Sequence, residues 1–221
     1  DALAALAQGR CRVAGFHVPA LPGGSRQFAA AMKPLLKPGL HKLIGCVRRT
    51  QGLMVQPGNP LELRGLADLV PQGQRAPRFL NRQSGSGTRL LMDHLLAELG
   101  LSAEAIPGWF QPPEDSHLAV AAALASGVAD AGPGIEAAAR AFGLGFVPLI
   151  DEDYFLVCLK DALDHPAVLK LRDALASPAW LQALQALPGY APSSGGQVLS
   201  LTQALPWWNF RQAKKPVAGG L

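Results

Sequence analysis

Strand-like and helix-like apolar patterns take turns along most of this chain, and that alternation limits the folds open to it more than any other feature. After a short helix over 2–8, CRVAGFHV reads as a strand, and HKLIGCVRRTQGLMVQP carries two β-rich runs. GNPLELRGLADLV reads as a proline-initiated helix with leucines at helical spacing, and RFLNR as a strand. From Gly87 to Leu99 the residues Leu90, Leu91, Leu95, Leu96 and Leu99 form an apolar stripe opposite Arg89, Asp93 and Glu98, with Gly100 as the stop. IPGWF then reads as a short strand, SHLAVAAALASG as a helix capped by Ser116, ADAG as a buried strand and GIEAAARAFG as a helix. FVPLI and YFLVCLK follow as strands, HPAVLKLRDALAS and PAWLQALQAL as helices, and the Gly-, Pro- and Ser-rich stretch from Pro192 reads as irregular. Such alternation predicts an α/β fold with mostly parallel sheets.

With 221 residues, 49% of them hydrophobic, the chain can fill one large core or two small lobes. No run of eighteen apolar residues is present, and the opening DALAALAQGRCRVAG lacks the basic start and apolar centre of a secretion signal. A chain beginning at Asp1 reads as a processed product or a cut fragment. Cys11, Cys46 and Cys158 cannot all pair and read as buried thiols, which favours a reducing compartment, the cytoplasm, over the periplasm. The net charge of +4 is scattered, with Arg48–Arg49 and Lys214–Lys215 as the only paired bases, a poor pattern for gripping nucleic acid.

One stretch carries chemistry. NRQSGSGTR, residues 81–89, stands where a strand feeds a helix. A helix start leaves four backbone N–H groups without partners and carries about half a positive charge, so small residues there admit an anion. The N–H groups of Gly85, Ser86, Gly87 and Thr88 and the hydroxyls of Ser84, Ser86 and Thr88 are donors for a ligand that offers only acceptor oxygens, and Gln83 lies in the same turn. Arg82 adds a forked, charged contact, whereas Arg89 is read as facing solvent or the other lobe. The plainer reading is a glycine-rich turn with a hydroxyl cap. A nucleotide phosphate loop does not fit, because no lysine follows the second glycine.

The segments GRCRVAGFH, RRTQGLMVQPGNP, GLADL, RFLNRQSGSGTRLLMDHLLAELGL, SHLAVAAALASGVADAGPGIEAAARAFGLGFVPLIDEDYFLVC and PGY, in this order, resemble the periplasmic-binding-protein-like domain of molybdate- and tungstate-binding proteins. The resemblance spans roughly 2–208 and is most specific in NRQSGSGTR and AVAAALASGVADAG. It implies the type II solute-binding architecture, two α/β lobes with the ligand between them. Carried over, lobe one is 1–76 with 151–221, lobe two is 77–150, and the hinge strands lie near Arg78 and Leu149. The family's first strand, whose loop brings a hydroxyl to the ligand, is missing from lobe one of this sequence. Such domains occur as secreted receptors of oxyanion ABC transporters, as effector domains joined to a helix-turn-helix DNA-binding module, and fused to molybdenum-cofactor biosynthesis proteins.

By the same resemblance His17, Thr50 and Gln51 lie at strand ends facing the cleft, with Arg49 nearby. His17 reads equally as a satisfied imidazole. Ser116 and His117 begin a helix in lobe two and are either a second dipole aimed at the cleft or a simple cap. Tyr154 reaches the ligand or packs at the hinge. The five histidines show no metal-binding spacing, SGSG is no nucleophile elbow, and Asp151, Glu152 and Asp153 read as a solvated rim, so catalysis is not expected. The leading expectation is a cofactor-free, effector-sensing domain of a transcriptional regulator that binds molybdate or tungstate. The alternatives are a secreted receptor serving an ABC permease and an interaction domain with a vestigial cleft. The aromatic PWWNF suits packing on the core or on a second subunit, as a homodimer.

Overall fold

Two fifteen-residue strands, His41–Val55 and Gly145–Leu159, organise the molecule: they run antiparallel along their whole length, and every other strand attaches to one of them. The computed structural model describes residues 2–21, 26–71, 73 and 76–208, so Asn209 and Phe210 of PWWNF and the Lys214–Lys215 pair lie outside the described residues.

In chain order the elements are α1 (Ala2–Ala7), β1 (Val13–Pro19), α2 (Arg26–Met32), β2 (His41–Val55), α3 (Gly87–Glu98), α4 (His117–Ala125), β3 (Ala131–Ile135), α5 (Glu136–Ala141), β4 (Gly145–Leu159), α6 (Pro166–Leu175), α7 (Pro178–Gln185), β5 (Tyr190–Pro192), β6 (Val198–Ser200) and α8 (Leu201–Ala204). The sheet runs β1-β4-β2-β3, with β5 and β6 also pairing with β2. Strand alternation decides what faces the core: Ala14, Phe16 and Val18 of β1 are buried, while Val13, Gly15 and His17 on its other face are half-buried.

The helices cover the sheet through three apolar clusters. Leu91, Met92 and Leu96 of α3 pack with Phe28, Leu53, Phe79 and Trp109; Val120, Ala121 and Leu124 of α4 pack with Ala139 and Met54; Val168, Leu175 and Leu184 of α6 and α7 pack with Ile44 and Cys158. Each fully buried Leu or Met contributes about 1.5–3 kcal/mol. The cysteines are free thiols, two buried and Cys11 partly so.

Among the described residues the expected parallel sheet is not found. All pairings between the named strands are antiparallel, and parallel contacts are confined to single bridges such as Phe79 with Ala131 and Arg82 with Glu114. Alternating patterns say that helices connect strands; they do not say which strands become neighbours, and here β4 inserts between β1 and β2 from more than a hundred residues downstream. The two runs read within 41–57 are one strand, as are FVPLI and YFLVCLK.

The helix expected over 58–70 is a single 3-10 turn, Leu66–Leu69. Asn59 and Glu62 adopt positive φ (49° and 51°), and the Asn59 side chain binds both backbone groups of Leu63, diverting them from a helical ladder. RFLNR and IPGWF form no strand, β5 ends where the tail read as irregular begins, and that tail adds β6 and α8.

The β2–β4 ladder is interrupted twice, between Gly45 and Val47 and between Gln51 and Gly52, where Cys46 and Leu149 respectively are the unpaired residues. Bulges bend a strand and re-aim its side chains. These two bracket the sequence VRRTQ.

Candidate ligand-binding site

Antiparallel register sets RRT against DED. Arg48 lies opposite Asp153, Arg49 opposite Glu152 and Thr50 opposite Asp151. Alternation then splits the rungs between two faces. Arg48 holds Asp153 at 2.8 Å in the open, and the Thr50 hydroxyl donates to Asp151 at 2.7 Å, also exposed. Arg49 and Gln51 point inward. Arg49 Nε donates to Glu152 Oε1 at 2.6 Å, with the two side chains 11% and 3% exposed. Gln51 Nε2 donates to the same oxygen at 3.1 Å and to Thr88 Oγ1 at 3.2 Å, tying the strand pair to the first turn of α3.

His17 comes from β1 on the same face. Its ring lies 4.5 Å from that of Tyr154, its cross-strand partner, and its Nε2 is 3.8 Å from Glu152 Oε1. Tyr154 occupies the space above Gly15: a Cβ there would sit 1.7 Å from the phenol oxygen, so only glycine allows this packing.

Arg82 and His117 lie close enough to Arg49 and His17 to act on them. Arg82 is buried, and its guanidinium donates to the Gln83 side-chain oxygen at 3.3 Å and to the carbonyls of Glu114 and Asp115 at 3.2 and 2.8 Å. Among the described residues no carboxylate pairs with it at contact distance; Asp115 acts on it only at longer range. The Gln83 amide also donates to the Asp115 carbonyl, bracing the turn against the residues before α4. His117 opens α4, with its ring near the Pro133 carbonyl. Its Nδ1 and the Oε1 of Gln51 are buried without a hydrogen-bond partner among the described residues.

These groups act on one another. Burial, then Arg49, then His117 lower His17 to about 3; burial, Arg49 and Arg82 lower His117 to about 3, against the nearby Pro133 carbonyl. Both rings are therefore neutral near pH 7. Burial, aided by Arg49, also lowers Arg82. Burial pushes the Glu152 carboxyl up, opposed by Arg49 and Gln51, and with a guanidinium at 2.6 Å it is the counter-charge of this cluster. Burial works against Arg49 too, but Glu152 and Tyr190 leave its net direction upward. Two guanidiniums thus share one carboxylate, an excess of positive charge where water is scarce.

Beside this cluster a cleft of about 400 Å³ opens between β1 and the start of α3. The turn 84–87, His17, Arg89 and Asp93 form its polar wall, and Leu3, Met32, Leu35 and Leu90 its apolar one. Gly85 takes φ 82°, which lets the turn double back, and Ser86 Oγ accepts from Arg89 N at 3.1 Å as the cap of α3.

The structure therefore gathers most of the residues singled out from the sequence, in two adjoining places. His17, Ser84, Gly85, Ser86 and Gly87 line the cleft, while Gln51, Thr88, Arg82, His117 and Tyr154 belong to the charged cluster, with His17 in both. Gln83 braces the turn. Thr50 stands apart on the opposite strand face, and Ser116 Oγ is engaged as the α4 cap, accepting from Ala119 N at 3.0 Å.

Arg89 is 12% exposed and lines the cleft opposite Leu3, His17 and Met32. It binds Asp93 at 2.9 Å and lies over the rings of Trp109 and Phe110, 5.2 and 5.7 Å from their centroids. Glu152, read as a solvated rim, is 3% exposed and central to the cluster. The signal for it lay in pairing RRT against DED across the sheet.

Among the described residues no group of three or more His, Cys, Asp or Glu is arranged to hold a metal ion, and no helix is long and apolar enough to cross a membrane.

A long antiparallel strand pair, helices on its faces and a cleft beside a positively charged cluster define an α/β ligand-binding domain of the two-lobed kind. The family model described as the PBP superfamily domain matches residues 1–176, and the chain belongs to this periplasmic-binding-protein-like family. It is 35% identical to YvgK of Bacillus subtilis (strain 168) over 193 residues, which make up 87% of this chain and 60% of YvgK, so it spans about three-fifths of that relative's length. Its fold is similar to a putative phosphate ABC transporter substrate-binding protein with bound phosphate from Clostridium perfringens, at TM-score 0.55 and 14% identity, covering 83% of this chain and 80% of that one. It is also similar to the regulatory domain of MetR, a LysR family regulator from N. meningitidis, at TM-score 0.55 and 11% identity, covering 86% and 80%.

Proposed function

We propose that this chain binds a small oxyanion of the molybdate or tungstate class between two lobes, 1–76 with 151–221 and 77–150, and serves as the effector-sensing domain of a transcriptional regulator. The reading is of a binder, not an enzyme. The observation that carries it is that Arg49 and Arg82 lie close enough to act on each other beside one buried carboxylate, Glu152, while among the described residues Arg82 has only neutral oxygens at contact distance. A dianion beside the guanidiniums supplies the missing negative charge, and the polar turn 84–88 supplies neutral donors beside it.

The regulator reading draws support from the fold shared with the MetR regulatory domain and from free thiols, which suit the cytoplasm. A helix-turn-helix partner module belongs to that reading. The fold shared with a phosphate-bound transporter protein favours the second one, a periplasmic receptor that delivers its anion to an ABC permease.

Thermal unfolding with molybdate, tungstate, sulfate and phosphate at fixed ionic strength tests the site. Ligand at a hundred times its Kd stabilises by about 2.7 kcal/mol, a rise of roughly 5–10 °C. Arg82→Ala removes the rise. No rise with any of the four anions refutes the reading.

A further inference from the structure

The charged cluster and the cleft beside it suit different parts of one ligand. The cleft, at about 400 Å³, has the size of pockets that hold organic molecules, roughly 300–1,000 Å³. Its apolar wall is assembled from separate elements, with Leu3 from α1, Phe16 from β1, Met32 from α2 and Leu90 from α3. A bare oxyanion has no apolar surface to set against such a wall. The cleft is also elongated. Gly15, Phe16 and His17 are consecutive residues of β1, the edge strand of the sheet, and all three line it. Neighbours on a strand point to opposite faces, so the cleft follows the strand's edge over two residue steps, about 7 Å.

Full charge is not on offer inside the cleft. Arg89 and Asp93, its charged lining residues, bind each other at 2.9 Å. The 84–87 turn supplies neutral donors, among them Ser86, whose Oγ accepts from Arg89 N and keeps its O–H to give. The unbalanced positive charge sits next door, where Arg49 and Arg82 have Glu152 as their buried carboxylate.

The two places are joined. His17 lines the cleft and stands 3.8 Å from Glu152 Oε1, and Gly87 of the cleft precedes Thr88, whose hydroxyl accepts from Gln51 of the cluster. Resting on the anion reading of this site, we infer that the ligand is an amphipathic organic anion, with an oxyanion head at the Arg49–Arg82 cluster and a hydrocarbon body in the cleft against Phe16, Met32 and Leu90. An inorganic oxyanion fills the head position alone and leaves the cleft to water.

Calorimetric titration of the chain with phosphate and with methyl, butyl and hexyl phosphate at about pH 8, where the heads are largely dianionic, measures what the body adds. Tungstate serves as the inorganic competitor. The expected result is a Kd that falls about fourfold for each methylene the cleft buries, with tungstate displacing hexyl phosphate. Ala31→Phe, at an exposed lining position of α2, narrows the cleft and removes that gain while phosphate binding is kept. Hexyl phosphate bound where the inorganic anions are refused also supports the inference, since the head then needs its body. A Kd equal within about twofold along the series, a gain undiminished in Ala31→Phe, or hexyl phosphate and tungstate bound at once overturns it. So does tungstate bound with every ester refused, and inorganic binding in these cases leaves the small-anion site standing. No binding of any of these anions by the folded chain refutes that site, and the organic ligand with it.

Discussion

Two adjacent rungs of the β2–β4 ladder have the same chemistry and opposite surroundings. Arg48 and Asp153 meet at 2.8 Å with side chains 47% and 22% exposed, and Arg49 and Glu152 meet at 2.6 Å with 11% and 3%. One pair is a solvated contact in which water competes for both charges. The other is sealed against Gln51, Thr88 and a second guanidinium, so its charges have nowhere else to go. A single step along a strand separates a solvated ion pair from a buried charged cluster, because the pleat sends neighbours to opposite faces.

The comparison is broken most forcefully at Glu152. Glu152→Ala leaves Arg49 buried and uncompensated and is expected to cost about 3–5 kcal/mol, whereas Asp153→Ala costs about 0–1 kcal/mol. Urea unfolding of both variants reads the difference, and equal losses would erase the distinction between the rungs. A bound anion also recovers part of the Glu152→Ala loss, which no exposed pair would show.

Next comes the ligand. Arg82→Ala forfeits the roughly 2.7 kcal/mol of anion stabilisation expected at a hundredfold Kd. Arg78→Ala, which removes an exposed arginine bound to Asp130, keeps it. A thermal shift lost equally in both variants would mean that the anion responds to surface charge alone.

Acid sharpens the contrast with a smaller effect. The folded state holds His117 at about 3, below its unfolded value near 6.5, so the unfolded chain binds the extra proton between those limits. Its contribution is complete above pH 6.5 and is lost as pH falls toward about 3, at about 1.4 kcal/mol per pH unit. Ligand-free His117→Gln should therefore show a shallower loss of urea stability from pH 6.5 to 5 than the parent chain. Identical slopes would place the ring in water.

The smallest effect belongs to Thr50. Thr50→Val changes a hydroxyl on the exposed face of the same strand and is expected to alter stability by no more than about 0.5 kcal/mol, with the anion shift intact. Loss of that shift would move the ligand to the outer face.

Local patterns made several parts of this arrangement legible. The apolar stripe from Leu90 to Leu96, the serines that cap α3 and α4 and the glycine stops at 100 and 127 are written within a few residues of where they act, whereas Leu99 is exposed and Met92 is buried in its stead. So is the turn 84–88, which lies beside His17. What local reading misses depends on partners far away. The strand directions follow from β4 inserting beside β2, and Glu152 acquires its meaning only from Arg49, 103 residues earlier. Thr50 and Gln51 looked alike as a polar pair between apolar runs, and only the pleat separates them. The helix expected over 58–70 yielded to the Asn59 side chain, a short-range competitor that leucine spacing does not register.

The most direct measurement is anomalous diffraction at the tungsten edge from crystals of this chain grown with tungstate. The account predicts one strong tungsten peak beside Arg49 and Arg82, with its oxygens at hydrogen-bonding distance, about 3 Å, from both guanidiniums. A peak confined to exposed basic residues, or to the apolar wall of the cleft beside Leu3 and Met32, or no peak at all, would contradict it.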